Sequence, residues 1–556
     1  VIKKYYSDLK REFREYDRAK LSKDLMAGVT VAAVALPLAL AFGVSSGADA
    51  AAGLITAIIA GIVIGLLSGS SYQISGPTGA MSVILVTIAA RFGLQGVFLA
   101  TLLAGILLVI AGIFKVGRVV SVIPTSVITG FTSGIAVIIA LGQIDNFFGT
   151  VSVGETAIQK LLSYFTIGFA PSVLTILTGL IVIFIMILWP KRWQQVFPSS
   201  LAAILIVTLL NSFIFKWDIP LVGTIPSTLL PENRLFLGDI DISTLTGVIT
   251  PAFSIAALCM VESLLCGVSA GRMKGEHMDA DRELVAQGIG NIIIPFFGGI
   301  PATAAIARTS VAVKAGQQTR LTSIFHSLGL LLSMFLLAPF MSQIPMAALA
   351  GVLMVTAWRM NEWVTIKYLF KSGMKVACLE FLITLVATIV FDLTIAILVG
   401  IAFCSLMFTI KVSGTAEVTI SKIDPERLKR DNMQFHDSYE RVRVAYIVGS
   451  LFFGSAGSVR ERLDYALKDA DVLILSMRGV SAIDFTGTHT LLEFCKNAKK
   501  KNIKLYFTGV QHQVSDYLEK GGVISYMGKD AFLWSTTDAL AKISEQSGFV
   551  TEQAGS

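Results

Sequence analysis

From about Leu25 to Lys411 the chain is a succession of apolar runs separated by short polar connectors, and beyond them short β-rich runs alternate with amphipathic ones. An apolar run of about 20 residues crosses the hydrocarbon layer of a membrane as one helix. Runs near 25–44, 50–69, 96–114, 122–142, 173–189, 199–215 and 245–267 read as crossings, followed by runs near 283–298, 322–340, 345–357, 376–391 and 392–410. With two interrupted segments that begin near Thr78 and Ala302, the pattern predicts about fourteen crossings or part-crossings.

The interruptions are the most informative feature. Ser75-Gly76-Pro77-Thr78-Gly79-Ala80 and Gly298-Gly299-Ile300-Pro301-Ala302-Thr303-Ala304 put proline and glycines at membrane depth, where they stop a helix. A helix that restarts there offers unpaired N–H groups to an anion. Each break falls in the third segment of a seven-segment half, and an odd number of crossings inverts the second half relative to the first. The helix beginning at Thr78 is then expected to point outward and the one beginning at Ala302 inward. Their positive dipole ends, each worth about half a charge, converge on one cavity. The plainer alternative is that Pro77 and Pro301 are ordinary membrane-helix prolines. Their matched positions and shared Pro-small-small runs favour the paired reading.

Composition agrees with a membrane protein: 54% of the 556 residues are hydrophobic and 15% charged, more apolar surface than a soluble fold of this length buries. The net charge of +7 does not point to nucleic acid, because the basic residues sit at the ends of the apolar runs. With the N-terminus inside, Lys115, Arg118, Lys191, Arg192, Arg272, Lys274, Lys314, Arg320, Arg359, Lys367 to Lys375 and Lys411 are cytoplasmic, leaving mainly Arg91, Lys216 and Arg234 outside. The polar, basic start predicts a cytoplasmic helix ahead of the first span and no cleaved signal. Cys259, Cys266, Cys378, Cys404 and Cys495 show no C-x-x-C pairing, so no disulfide framework, metal site or cofactor is expected. His277, His326, His436, His489 and His512 lack ligand spacing; His326 is expected to be a satisfied buried residue and the others to lie at the surface.

Two ionisable residues lie deep in the apolar region. Glu262 interrupts the run Ala256 to Leu265, where a carboxylate costs several kcal/mol unless it is paired, hydrated or protonated. Arg308, about two turns into the second broken helix, can set a fixed positive charge near a bound anion. An internal Glu262–Arg308 ion pair that only fixes helix packing is the alternative.

Beyond Lys411 the composition changes. Strand-like runs at Val442 to Phe453, Val472 to Met477 and Ile503 to Thr508 alternate with helix-like ones at Val459 to Leu467, Thr486 to Ala498 and Val514 to Leu518, which predicts a small α/β domain with a largely parallel sheet. The domain plan is a cytoplasmic N-terminal segment 1–22, a transmembrane domain 23–412, a linker 413–440, a cytoplasmic α/β domain 441–546 and a flexible tail 547–556. No nucleophile triad, phosphate-binding loop or metal motif stands out, so an enzyme or a nucleotide-driven pump is not expected.

The runs Ala35-Leu36-Pro37-Leu38-Ala39-Leu40-Ala41-Phe42-Gly43, Ser75-Gly76-Pro77-Thr78, Glu262-Ser263-Leu264-Leu265 and Gly298 to Arg308 resemble the sulfate permease family of anion transporters, and the C-terminal domain resembles its STAS domain. The resemblance implies an α-helical polytopic membrane protein of about fourteen segments, a seven-plus-seven inverted repeat split into core and gate domains. It also implies a homodimer and an elevator-like movement. Carried over by position, Phe42, Thr78, Gly79, Ala302, Thr303 and Ala304 line the anion pocket, Glu262 is the coupling acid and Arg308 the nearby cation. The location implied is the inner (plasma) membrane with both termini cytoplasmic.

Some positions depart from the pattern. Leu38 stands where many members have glutamine. The run from Gln287-Gly288-Ile289-Gly290-Asn291 to Arg308-Thr309 resembles a bacterial branch that carries C4-dicarboxylates such as fumarate and succinate. The first span is instead similar to that of cyanobacterial bicarbonate carriers, in which an aspartate at the position of Glu262 couples sodium. A lone glutamate facing a dry cavity suits a proton, whereas sodium wants several oxygen ligands. Proton-linked symport of a small oxyanion or carboxylate is therefore the favoured reading, with sodium-coupled bicarbonate transport, a passive anion channel and a membrane receptor signalling through the STAS domain as alternatives.

In the C-terminal domain, Ile483-Asp484-Phe485-Thr486-Gly487 follows a predicted strand and opens a helix. The resemblance puts Thr486 where anti-sigma-factor antagonists carry a phosphorylated serine, and a helix N-terminus favours phosphate. Simple capping of the helix by Asp484 or Thr486 is the alternative. The partners implied are a small anion, a co-transported proton or sodium, membrane lipid, a second copy of the chain and a cytoplasmic partner of the STAS domain.

Overall fold

The computed structural model describes residues 2–117, 124–154, 157–190, 192–193, 197–225, 228–236, 238, 242–391, 393–430, 435 and 439–546. The expected tail 547–556, together with Arg118, Lys191 and His436, lies outside them. By internal contacts the chain divides into two compact units, Val1–Ala402 and Phe403–Ser556.

The first unit is built from α1 (Ile2–Glu12), α2 (Arg18–Ser45), α3 (Ala50–Leu67), β1 (Ser75–Gly76), α4 (Gly79–Ile113), α5 (Thr125–Gly142), α6 (Ile144–Phe148), α7 (Ala157–Ile167), α8 (Val173–Leu188) and α9 (Ser199–Leu209). It continues through α10 (Ile242–Lys274), α11 (Ala280–Ile293), β2 (Thr303–Ala304), α12 (Ile306–Lys314), α13 (Leu321–Leu336), α14 (Ala338–Met341), α15 (Met346–Met360), α16 (Trp363–Lys371) and α17 (Lys375–Val390), and the boundary between the units falls within α18 (Leu393–Ser413). Among the described residues, Arg18–Ser45, Ala50–Leu67, Gly79–Ile113, Thr125–Phe148 and Ile242–Lys274 are each long and apolar enough to cross a membrane unaided. Inside α4, Gly93 has φ 64°, a conformation glycine adopts without steric cost, and this separates a half-length helix, 79–92, from a full-length one, 94–113.

The helices fall into two groups. The first, α2, α3 and α4, packs with α10, α11, α12 and α13; the second brings α5, α6, α8 and α9 together with α15 and α17. The N-terminal helix is tied to the first group by ion pairs from Arg282 to Asp8 at 3.1 Å and from Arg320 to Glu12 at 2.8 Å. The same arginines bond the carbonyls that end α3, Arg320 Nη1 to Leu66 at 2.7 Å and Arg282 Nη2 to Ser68 at 2.5 Å, so they satisfy acceptors that the helix leaves unpaired. His326 is buried as expected, but among the described residues neither ring nitrogen finds a partner, a correction to the satisfied histidine read from the sequence. The reason is local: α13 lies close against α2 and α3 at Gly28 and Gly61, which bring no side-chain donor or acceptor.

The second unit contains a five-stranded sheet in the order β3 (Glu417–Lys422), β4 (Val442–Val448), β5 (Val472–Gly479), β6 (Lys504–Thr508) and β7 (Phe532–Leu533). Strands β4 to β7 are parallel and β3 joins the edge antiparallel to β4. Its helices are α19 (Pro425–Arg430), α20 (Ala456–Ala466), α21 (Phe485–Lys500), α22 (His512–Lys520), α23 (Val523–Met527) and α24 (Thr536–Gln546). Side chains alternate across the sheet: Ala445, Ile447, Leu473 and Leu475 enter one core with Phe494, while Val444, Ile474 and Tyr506 enter the other with Leu540. Strand β3 and helix α19 occupy the stretch expected to be a linker. Val418 and Ile420 alternate with polar neighbours there, and that period lets an edge strand bury one face.

Candidate anion site

The two interruptions meet as a two-residue antiparallel ladder. Ser75 pairs with Ala304 and Gly76 with Thr303, so the chain leaves the ladder in opposite directions, toward α4 on one side and toward α12 on the other. The amide of Ala305 extends the pairing by donating to Ile74 at 3.0 Å. Four residues of chain, at most roughly 14 Å, then separate that point from Thr78. The two half-helices therefore begin close together and point apart. The second starts at Ile306 rather than near Ala302, because Thr303 and Ala304 are held extended by the ladder.

Extended backbone at membrane depth must find partners inside the protein. Asn291 clamps Ala302 from both sides, Nδ2 donating to its carbonyl at 2.9 Å and Oδ1 accepting from its amide at 2.8 Å. Thr56 Oγ1 accepts from the Ile300 amide at 2.7 Å and shares its one proton between the carbonyls of Ala52 at 2.7 Å and Ile300 at 2.9 Å. Ser263 Oγ accepts from the Ala304 amide at 3.3 Å and lies 2.9 Å from Thr303 Oγ1. Gln287 Nε2 donates to Ser75 Oγ at 2.9 Å and to Glu283 Oε1 at 2.8 Å, and Glu283 Oε2 accepts from Ser68 Oγ at 2.5 Å and from the Gly69 amide at 2.9 Å. None of these supporting residues was singled out as a site residue in the sequence. The signal was present, since Glu283, Gln287 and Asn291 recur every four residues along α11 and so form one polar face in an apolar helix.

The helix starts keep donors free of backbone partners. In α4 the first intrahelical bond is Ser82 to Thr78 at 3.2 Å, and in α12 it is Thr309 to Ala305 at 2.9 Å, leaving three amides ahead of each. Neither N-cap side chain covers them. Thr78 Oγ1 instead donates to Glu262 Oε2 at 2.9 Å, which joins the start of α4 to the deep carboxylate of α10. Both residues are partly buried, and Ile306 and Ala307 in the first turn of α12 are exposed.

Phe42, Gly79, Ala302, Thr303, Ala304 and Arg308 are buried around this point. A Cβ added to Gly79 would lie 2.4 Å from Ile139 Cδ1 and 2.9 Å from Phe42 Cε1, so a larger residue there has to push those side chains aside. Arg308 turns its guanidinium into the protein, with Nη2 donating to the Pro77 carbonyl and Nη1 without a partner among the described residues. Glu262 and Arg308 thus attach to adjacent residues, Thr78 and Pro77, and the ion pair weighed for them in the sequence does not form. In the second unit Asp484 caps α21, accepting from Gly487 at 2.7 Å and from Phe453 at 3.0 Å, while Thr486 is exposed in the first turn.

Residues 21–388 match the sulfate permease family and residues 436–539 the STAS domain. The chain is 34% identical to YvdB of Bacillus subtilis (strain 168), whose name makes it a provisional sulfate transporter, over 94% of this chain and 97% of that one. It is 30% identical to the transmembrane domain of a cyanobacterium bicarbonate transporter, BicA, with a TM-score of 0.64 over 69% of this chain and 98% of that one. The overall structure of SLC26A9 aligns with a TM-score of 0.83 over 98% of this chain and 93% of that one, at 17% identity, a likeness of fold. The chain belongs to the sulfate permease family and is a polytopic anion transporter with a C-terminal STAS domain, not an enzyme.

Proposed function

We propose that the chain is a proton-coupled symporter that takes up a small oxyanion, sulfate first among the candidates, at the starts of α4 and α12. The observation that carries this reading is the hydrogen bond from Thr78 to Glu262. A hydroxyl has one proton to donate, and an ionised Glu262 takes it. A protonated Glu262 can donate to Thr78 Oγ1 and release that O–H to an anion resting on the first turn of α4. Proton and anion then favour one another twice over, through a charge removed and a donor returned.

In this reading the N-terminus is cytoplasmic, as the placement of basic connectors supports. The group containing α2 to α4 and α10 to α13 carries the site past the other group. Phe42 and Gly79 border the site, Ala302 to Ala304 shape it, and the buried Arg308 steadies the Pro77 carbonyl while adding positive potential. A C4-dicarboxylate remains a substrate to be tested. Sodium-coupled bicarbonate uptake is the second reading, favoured by the likeness to BicA, with Thr78 and Glu262 then supplying oxygens to the cation.

The test is tracer uptake by the full-length protein in proteoliposomes under an acid-outside pH step, with sulfate, fumarate and bicarbonate in parallel. The expected result is sulfate accumulation above equilibrium that disappears when the pH gradient is collapsed. Uptake that only dissipates the substrate gradient would replace the symporter by a channel, and bicarbonate uptake requiring sodium would replace it by the second reading.

A further inference from the structure

A cavity of about 80 Å³ flanks the first two turns of α4, lined among others by Ser45, Gly79, Ser82, Ile139, Gln143 and Lys160. That is room for several water molecules, and hence for a small oxyanion. Its chemistry is one-sided. Among the described residues the Lys160 ammonium has no ion pair or hydrogen bond, and no carboxylate lines the space. Gln143 is only 4% exposed, and its side-chain carbonyl accepts from Asn146 at 3.5 Å while its Nε2 donates to no described residue. That Nε2 is open to the cavity, a donor available to an acceptor placed there. The neighbouring acid, Asp145, is not in the lining; its carboxylate is held by Thr150 at 3.2 Å, Ser152 at 2.5 Å and Tyr164 at 2.8 Å.

The floor of the cavity is Gly79, wedged against Ile139 and Phe42, and the next residue back along the chain is Thr78 with its bond to Glu262. The cavity therefore adjoins the proposed transport site, with Gly79 common to the walls of both. The cavity borders the C-terminal ends of α2 and α5, which face outward if the N-terminus is cytoplasmic. We propose that this cavity is a second anion site, a staging position on the outer side where Lys160 and Gln143 hold a small oxyanion before Ile139 and Gly79 part. The inference rests on the transport reading above. It adds a site with its own residues, Lys160 on α7 and Gln143 just after α5, outside the pair of half-helices.

The experiment uses full-length Lys160→Cys in proteoliposomes, in a background where the partly buried Cys378 and Cys404 are serine; Cys259, Cys266 and Cys495 are buried. Sulfate uptake is measured before and after external treatment with membrane-impermeant thiol reagents of opposite charge. The expected result is a KM for external sulfate raised about five- to twentyfold, with the maximal rate lowered less than twofold. The cationic reagent should restore KM to within about twofold and the anionic one should raise it further. Lys160→Arg should behave as the parent does, and the KM for sulfate efflux from the lumenal side should not change. An unaltered external KM in Lys160→Cys, or equal effects of the two reagents, would overturn the staging site while leaving the transport reading intact. Parent protein that moves neither sulfate nor bicarbonate would overturn both.

Discussion

Replacing Glu262 by glutamine tests the coupling at the point where charge and hydrogen bonding meet. The carboxylate lies 2.9 Å from Thr78 Oγ1. An anion accepting from that hydroxyl or from the adjacent amides would sit about 3 Å further on, giving roughly 6 Å between charges. At an effective dielectric near 20, two unit charges at that distance repel by about 3 kcal/mol, and a divalent oxyanion by about twice as much. Partial exposure of Glu262 makes these upper bounds. Even the monovalent figure is about a hundredfold in affinity. Wild-type KM for sulfate should therefore rise steeply as external pH increases. Glu262→Gln carries no charge and can still donate to Thr78, so it should hold a low KM at all pH values and keep exchange of internal for external sulfate. It should lose accumulation driven by a pH step. Tracer uptake at a series of pH values, with and without a proton ionophore, reads all three properties. A glutamine variant with the full pH dependence of the parent would refute the reasoning.

Gly79→Ala forces a methyl to within 2.4 Å of Ile139 Cδ1, so uptake is expected to fall at least tenfold while the protein still elutes as a single species on size exclusion; normal uptake would show that α4 does not start against that wall. Asn291→Ala leaves the amide of Ala302 unpaired, at about 1 to 3 kcal/mol, and leaves its carbonyl only the weak bond from Cys259 Sγ at 3.4 Å. Thermal unfolding in detergent should report a marked loss of stability, and an unchanged midpoint would count against the clamp. In the second unit, burial pushes the Cys495 thiol up to about 12. Its neutral form is the one the fold holds, so its contribution is complete below the unfolded thiol's value of about 8.5 and falls as pH rises above it, by up to about 1.4 kcal/mol per pH unit. Cys495 should accordingly resist alkylation at pH 8 until the protein is unfolded, and rapid labelling of the native protein would contradict its burial.

The sequence alone determined the succession of spans, the two breaks and the change to an α/β domain, because each is a one-dimensional signal: the length of an apolar run, a proline between small residues, or a switch of hydrophobic period. Thr78 and Glu262 were also legible, a helix start and a charge in hydrocarbon needing no partner to be noticed. Which groups those residues touch was decided by tertiary structure. Glu262 and Arg308 are opposite charges whose pairing, the alternative weighed from the sequence, gives way to bonds to Thr78 and Pro77, an outcome set by where α10 and α12 lie relative to the ladder. The same holds for the late start of α12, since pairing with Ser75 and Gly76 keeps Thr303 and Ala304 extended. Asn291, Thr56 and Ser263 became functional candidates only when each was seen to satisfy backbone at Ala302, Ile300 and Ala304. Hydrogen bonding between residues far apart in the chain leaves no periodic trace, so folding has to bring donor and acceptor together before either can be recognised.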